Sequence, residues 1–516
     1  MRISNGHKFL VLWFMLGIAL APQSAAQGQP ERPPEYKEFM KALKIEDLNM
    51  RIKELERIKA AFPNTALYLN IEKALLSARI ELCETLDCVL ALQKPQLETA
   101  NGFNGIYLYY VSANNILEHK NIKKFDKTAV TQAVRDYIEK SLKIANGPDF
   151  YKSFTPGQQD SIKSFLLVFH ILEARAYLNE ENPERSMKAL DTYRDSGGES
   201  DRAFYYTMGE TYVQLGKAKE AFECYFEAAS ENYKDSVEKA MALYRKLYGP
   251  PEEFSAKLEA KQRELPFHPE PFQPAGEWKG KVVLAEIFTG SECPPCVAAD
   301  LGFDGLIEAF GRKFAAILEY HLPIPGPDPM MNPATKKRQE YYRVNSTPTP
   351  FFDGEKIAGG GGDRPAAEVK FHEYSSEIES RIYEMPKVQL KASAIRNKEN
   401  IQIEYHLDKV IDNADYNIAL VQKEEKFLGH NGILFHKMVV REFMTIDPRS
   451  DSRQAVINLA RAEKAAEKYL ADFELERLFL FKEKRFRIDR SGLCVVFFVQ
   501  DRETQKVYNA VVTDVK

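Results

Sequence analysis

Cys293 and Cys296 are the residues best equipped for chemistry, and they enclose two prolines in Cys293-Pro294-Pro295-Cys296. An apolar run from Val282 to Phe288 precedes them and reads as a buried strand; a helical pattern follows from about Val297 to Phe310. A thiol at such a junction faces unpaired backbone N–H groups and the positive end of the helix dipole, both of which stabilise its thiolate. Nearly one turn later the second thiol lies on the same face, within reach of a mixed disulfide formed by the first. The expected chemistry is thiol–disulfide exchange, with Cys293 attacking and Cys296 resolving. Each proline stiffens the turn but deletes an N–H that could have solvated the thiolate, so the dipeptide sets no direction of electron flow. The rival expectation is a static disulfide in a redox-inactive fold. No second Cys or His pair stands at finger spacing, so no metal is expected, and no cofactor beyond the Cys293–Cys296 disulfide itself.

The elements that must hold this pair follow from the local pattern. Phe314 to Tyr320 reads as a second strand, so strand, helix and strand form a βαβ unit. Val-Val-Leu-Ala-Glu-Ile-Phe-Thr-Gly-Ser-Glu-Cys-Pro-Pro-Cys over 282–296 resembles the active-site strand and loop of thioredoxin-like thiol-disulfide oxidoreductases. Val344-Asn345-Ser346-Thr347-Pro348-Thr349-Pro350-Phe351-Phe352-Asp353-Gly354 resembles the strand that carries that fold's cis-proline, with Pro348 in its place. The resemblance covers roughly residues 280 to 383. It implies protein thiol or disulfide substrates, a recycling redox partner, and a substrate groove shaped by Pro348 and Thr347.

Two departures mark candidates for tuning the thiols. The acid that such proteins usually bury six residues before the first cysteine is replaced by Ile287, while Glu286, one residue earlier, points to the other face by strand alternation. The usual tryptophan before the first cysteine is Glu292, whose charge opposes thiolate formation. The Glu-Ile-Phe-Thr pattern, with Asn431-Gly432-Ile433-Leu434-Phe435-His436 and Val439-Val440-Arg441 downstream, resembles an exported bacterial branch related to outer-membrane-associated thioredoxin-like proteins.

Four further cysteines carry less. Cys83 and Cys88 would be separated on an unbroken helix by about 140° and about 7.5 Å of rise. They form a structural disulfide only if the helix breaks near Thr85 to Asp87. Cys224, on a helix, and Cys494, in an apolar strand, are expected to be buried and inert. His321 stands at a strand end, where a loop hydrogen bond is the expected role and a proton shuttle near the thiols the alternative; His436 is expected to be structural. Gly359 to Gly362 has no following Lys-Ser/Thr and reads as a flexible turn rather than a phosphate cradle.

The rest of the chain supplies the scaffold. With 516 residues, 28% charged and 11% aromatic, it is an ordinary globular chain of about three domains. Its 71 basic and 75 acidic residues leave a net charge of −4, which gives no footprint for nucleic acid. Arg2 and Lys8 precede an apolar run from Phe9 to Ala21 and small residues Ser24 to Ala26, so 1–26 reads as a signal peptide. Export to the periplasm or beyond the cell is therefore expected, with no membrane span after cleavage. Residues 27–265 have helical spacing, broken at Ala61-Phe62-Pro63, where Asn64 or Thr65 can cap the next helix. Within them Tyr205, Met208, Gly209, Tyr212, Gly216, Ala221, Tyr225 and Ala228 stand at tetratricopeptide spacing, a surface that can take a peptide or protein ligand. A proline-rich linker, 266–280, leads to the thioredoxin-like α/β domain, 281–383. A mainly-β, sandwich-like domain is expected over 384–516, with a helical insertion at about 455–473. The expectation from another class is a cell-envelope binding or scaffold protein that uses the helical and β domains and no redox chemistry.

Overall fold

The structure, a computed structural model, describes residues 35–516 apart from 66, 358, 450–452 and 478–479. The expected signal peptide lies outside the described residues. Helices are followed by a mixed sheet with covering helices, and the chain divides into two compact units between Leu82 and Cys83.

The first unit holds α1 (Tyr36–Leu43), α2 (Leu48–Ala61) and α3 (Tyr68–Leu82). Asp47 starts α2 by accepting from the Met50 N–H at 2.7 Å. α2 stops at Ala61, just before Pro63, and Thr65 Oγ1 accepts from Leu67 N at 3.0 Å ahead of α3. Phe39, Leu55, Ile58, Ile71 and Leu75 close the core between the three helices.

The second unit opens with a turn and nine helices: α4 (Leu86–Glu98), α5 (Gly102–Leu117), α6 (Lys127–Ala145), α7 (Pro156–Asn179), α8 (Pro183–Asp195), α9 (Arg202–Gln214), α10 (Ala218–Ser230), α11 (Ser236–Tyr248) and α12 (Phe254–Arg263). Thr85 caps α4, its hydroxyl accepting from Cys88 N at 3.3 Å, so the helix is broken where the cysteine pairing requires it. Cys83 and Cys88 are joined there with Cα atoms 5.6 Å apart. Asp126, Thr155 and Asp201 cap α6, α7 and α9 in the same way. Gly209 on α9 faces Tyr225 on α10 so closely that a Cβ would lie 2.8 Å from the ring, the small-against-large fit that its spacing predicts. Cys224 is half-buried rather than buried, and burial pushes its thiol up to about 12.

The proline-rich segment is extended, but it is no free tether. Phe267 stacks on Phe371 at 5.1 Å, Phe272 on Phe310 at 4.8 Å, and Trp278 meets Phe314 edge-on at 5.6 Å. Aromatic residues interleaved with the prolines pin the segment to the helices that follow, Phe267 buried and Phe272 and Trp278 partly so.

Those helices flank an eight-stranded sheet. Its strands are β1 (Val283–Thr289), β2 (Ala315–His321), β3 (Thr349–Phe352), β4 (Glu355–Lys356), β7 (Ala414–Lys426), β8 (Phe435–Ile446), β10 (Leu493–Asp501) and β11 (Val507–Asp514). They are ordered β11-β10-β7-β8-β2-β1-β3-β4. β1 and β2 run parallel across α13 (Val297–Phe314), while α14 (Pro333–Tyr342) and α15 (Ala367–Arg381) complete the cover. β8 joins β2 in parallel at Glu319 and Val439.

Strands from both sides of residue 383 thus share one sheet, so the β-rich region expected over 384–516 extends the sheet that begins at β1. A sandwich does form: β5 (Leu390–Asn397), β6 (Asn400–Leu407) and β9 (Gln454–Asn458) make a three-stranded sheet. Ile401, Ile403, Tyr405 and Ile457 from it share a core with Ile418, Leu420, Val495 and Phe497. β10 therefore feeds two cores by alternation, Cys494, Val496 and Phe498 facing one and Val495, Phe497 and Val499 the other. The expected helical insertion, α16 (Leu459–Arg477), begins only at Leu459, because Gln454–Asn458 pairs with β6.

Candidate functional site

β1 ends at Thr289, and the loop Gly290 to Glu292 carries the chain to Cys293. Cys293 N donates to Gly290 O at 3.0 Å, and Cys296 N donates to Cys293 O at 3.0 Å, closing a short 3-10 turn over Pro294–Cys296. The prolines sit in a first turn, where missing N–H groups break no helical bond, and α13 begins at Val297. Cys293 and Cys296 are joined by a disulfide with Cα atoms 5.3 Å apart.

Both sulfur-bearing residues are covered: Cys293 is 1% exposed and Cys296 0%. Thr347 lies against the first, its Oγ1 3.4 Å from Cys293 Sγ and 2.9 Å from the Ile324 carbonyl, and the Thr347–Pro348 peptide is cis. The glycine run is no flexible turn. Gly362 N donates to Pro295 O at 2.8 Å and Ala298 N donates to Gly362 O at 3.0 Å, so the run is strapped across the cysteine loop. Glycine is required by proximity, since a Cβ at Gly361 would stand 2.3 Å from Pro295 O.

The two glutamates chosen as tuning candidates part company. Glu292 borders Cys293, and burial together with the charge of Asp328 pushes its carboxyl up to about 7, against an opposing pull from Lys482. Glu286 is fully buried on the α14 side of β1. Arg338 grips it through Nε to Oε1 at 2.7 Å and Nη2 to Oε2 at 2.8 Å, while Tyr320 and Tyr342 donate their hydroxyls at 3.0 and 2.7 Å. Arg338 Nη1 reaches Gln500 Oε1 at 2.8 Å. Burial alone would lower the Arg338 guanidinium, but the Glu286 carboxylate outweighs it and raises it. None of these partners is a cysteine; through Arg338 and the two tyrosines Glu286 ties β1 to β2, α14 and β10.

On the other face of β1 the structure assembles buried ionisable groups that spacing does not reveal. Thr289 Oγ1 donates to Asp300 Oδ2 at 2.9 Å, one turn along α13 from Cys296. Burial first, and then the charge of Glu319, raise the Asp300 carboxyl well above its usual range. Thr289 pairs in register with His321 and Ile287 with Glu319, so alternation turns Glu319 and His321 to one side of β2. His321 Nδ1 bonds Asp328 Oδ2 at 2.9 Å, and Ser291 N and Met330 N donate to the same carboxylate at 2.6 and 2.7 Å. Burial opposes the imidazolium, but Asp328 and Glu319 outweigh it and bring His321 up to about 10. His436 enters from β8, its ring 5.0 Å from that of His321, and burial with the His321 charge drives it down to about 3.

His321 is thus bound to a loop carboxylate, Asp328, which itself holds the Ser291 amide two residues before Cys293. Asp300, Asp328 and Glu319 were not singled out by sequence reasoning; the spacing Glu319-Tyr320-His321 on a strand was the available signal. Cys494 is fully buried and unbonded, with its thiol pushed up to about 12 by burial. Comparison with protein-family models, with curated proteins and with solved structures finds no match for this chain.

Proposed function

We infer that this chain is an exported, thioredoxin-like thiol-disulfide oxidoreductase acting on protein substrates through Cys293 and Cys296. The observation that carries the reading is the disulfide at the β1–α13 junction with Thr347 Oγ1 3.4 Å from Cys293 Sγ. In the reducing direction the Cys293 thiolate attacks a substrate disulfide, forming a mixed disulfide and expelling one substrate thiolate. Cys296 then attacks Cys293 Sγ, closing the pair and releasing the second thiolate; the two substrate sulfurs stay on the substrate and take up the two protons that Cys293 and Cys296 give up. Two electrons pass to the substrate, and a recycling partner must return them; the oxidising direction is the same sequence reversed. Pro348 and Thr347 border the path by which a substrate would approach. The helices around Gly209 and Tyr225, at tetratricopeptide spacing, offer a surface for a peptide or protein partner.

One observation favours the second reading, a redox-inactive scaffold of the cell envelope: both sulfurs are covered, with the glycine run strapped over their loop. The reduction potential separates the two. Equilibration with glutathione and dithiothreitol buffers, followed by mass-tagging of free thiols, should give a reversible couple between about −120 and about −270 mV for an exchange centre. A pair that resists reduction below about −300 mV is structural and overturns the enzyme reading. Cys293→Ser should abolish exchange, whereas a scaffold would keep its partner binding in that variant.

A further inference from the structure

Glu319 and His321 on β2 and His436 on β8 each bring one potential ligand atom to a common point, the three atoms lying within 4.8 Å of one another. All three residues are buried, and Glu319 Oε1, His321 Nε2 and His436 Nδ1 lack a hydrogen-bond partner. Glu319 Oε1 and His321 Nε2 stand 3.0 Å apart, yet are not aligned for a hydrogen bond. His436 Nδ1 has no partner and Glu319 Oε1 and His321 Nε2 have only their unaligned contact with each other, so three under-satisfied buried polar atoms meet at a point that one common partner would serve.

The opposite nitrogen of each ring is engaged in a way that aims the free one inward. His436 Nε2 stands 3.0 Å from the Phe427 carbonyl, which can only accept, so that nitrogen carries the proton and Nδ1 presents a lone pair. His321 Nδ1 bonds Asp328 Oδ2 at 2.9 Å, and the Asp328 carboxylate is itself fixed by the Ser291 and Met330 amides. A carboxylate or a backbone carbonyl behind each imidazole is the arrangement that orients histidine toward a metal. We propose that Glu319, His321 and His436 form a buried site for a divalent transition-metal ion of the zinc type. Two imidazoles and one carboxylate make a donor set suited to such an ion, with a fourth position left for another ligand. A dication there offsets the negative charge of Glu319 and Asp328 in a place where water cannot screen it.

The site shares no ligand with the disulfide, so it stands or falls apart from the redox reading. Asp328, which bonds His321 Nδ1 from behind, nevertheless also holds the Ser291 amide two residues before Cys293.

The test uses the full chain with the Cys293–Cys296 disulfide intact; Cys224 and Cys494 keep their protons at neutral pH, since burial pushes both thiols up to about 12. After treatment with a chelator, zinc chloride is titrated in by calorimetry and the product is examined by X-ray absorption at the zinc edge. One equivalent of zinc should bind, with imidazole scattering and nitrogen or oxygen neighbours at about 2.0–2.2 Å and no sulfur. Glu319→Gln and His436→Gln should each weaken binding at least tenfold. Absence of stoichiometric binding overturns the proposal, as does a shell containing sulfur or lacking imidazole. So does a nitrogen NMR spectrum in which His321 keeps protons on both ring nitrogens in the presence of excess zinc, since a proton shared with Glu319 would then be the occupant. The absorption spectrum needs only the unmutated chain, so variants that fail to fold do not leave the question open.

Discussion

Thr347 Oγ1 reaches two acceptors at once, the Ile324 carbonyl at 2.9 Å and Cys293 Sγ at 3.4 Å. A hydroxyl has one proton to give, and the shorter contact takes it while Cys293 is in its disulfide. A Cys293 thiolate is a stronger acceptor and draws that proton toward sulfur. Thr347→Val should therefore raise the pKa of reduced Cys293 by about 1 unit, and Thr347→Ser should not. The pH dependence of iodoacetamide alkylation measures it, and an unchanged profile in the valine variant would remove Thr347 from the site.

Glu292 adds a second titration beside the same sulfur. Its carboxyl rises from 4.5 to about 7, chiefly through burial, with Asp328 adding and Lys482 opposing. Between those values the folded chain holds more protons than the unfolded one, so stability falls with rising pH. The contribution is complete below about 4.5 and is lost through about 7. Above that point the carboxylate also opposes the Cys293 thiolate. Glu292→Gln should remove a step near pH 7 from the alkylation profile and make the thiol more acidic; retention of the step would assign it elsewhere.

Arg338 and Glu286 are each buried and doubly bonded to one another. Replacing Arg338 by Met strands the carboxylate with only two tyrosine hydroxyls, at a cost of about 3–5 kcal/mol. Urea unfolding should show that loss, and the reduction potential of the remaining folded protein should stay where it was. A shifted potential would restore Glu286 to the tuning role.

Gly354 turns β3 into β4 at φ 83°, and a Cβ there would lie 1.8 Å from Gln505 O. The same turn is anchored by Lys281, buried 2.8 Å from Asp353 Oδ2, and by Val507 N, which donates to Asp353 O at 2.8 Å. Gly354→Ala should cost at least about 1–3 kcal/mol from backbone strain alone, before the clash with the carbonyl is added. A thermal melt unchanged from that of the parent chain would contradict this packing.

The Cys83–Cys88 disulfide closes a short loop, for which the chain-entropy argument gives about 2 kcal/mol. Replacing both residues by Ala should lower the urea midpoint accordingly while leaving exchange at Cys293 intact. Loss of exchange in that variant would make the pair more than a staple.

Much of this was legible from local pattern. The strand before Cys293, the helix after Cys296 and the strand at Ala315–His321 follow from apolar spacing that needs only neighbours along the chain. The condition on Cys83 and Cys88 was likewise local: five residues of helix hold two thiols apart, and Thr85 breaks it by capping α4. Gly209 against Tyr225 was readable because two successive helices must meet.

What the sequence could not supply is which strands become neighbours. β8 lies beside β2 only because the strands beyond residue 383 extend the sheet that begins at β1, and no periodicity encodes that pairing order. The pairing carries His436 to His321 and Glu319, builds the charged cluster that reaches the Cys293 loop through Asp328, and turns an apparently separate β region into part of the same sheet. The surroundings of the buried cysteine pair are tertiary too, because the glycine run comes from far along the chain and is held against their loop by hydrogen bonds to Pro295 and Ala298. Residue types and spacing determined what chemistry the chain can attempt at Cys293; strand order and packing decided which charges surround it, since electrostatics acts through space and not along sequence.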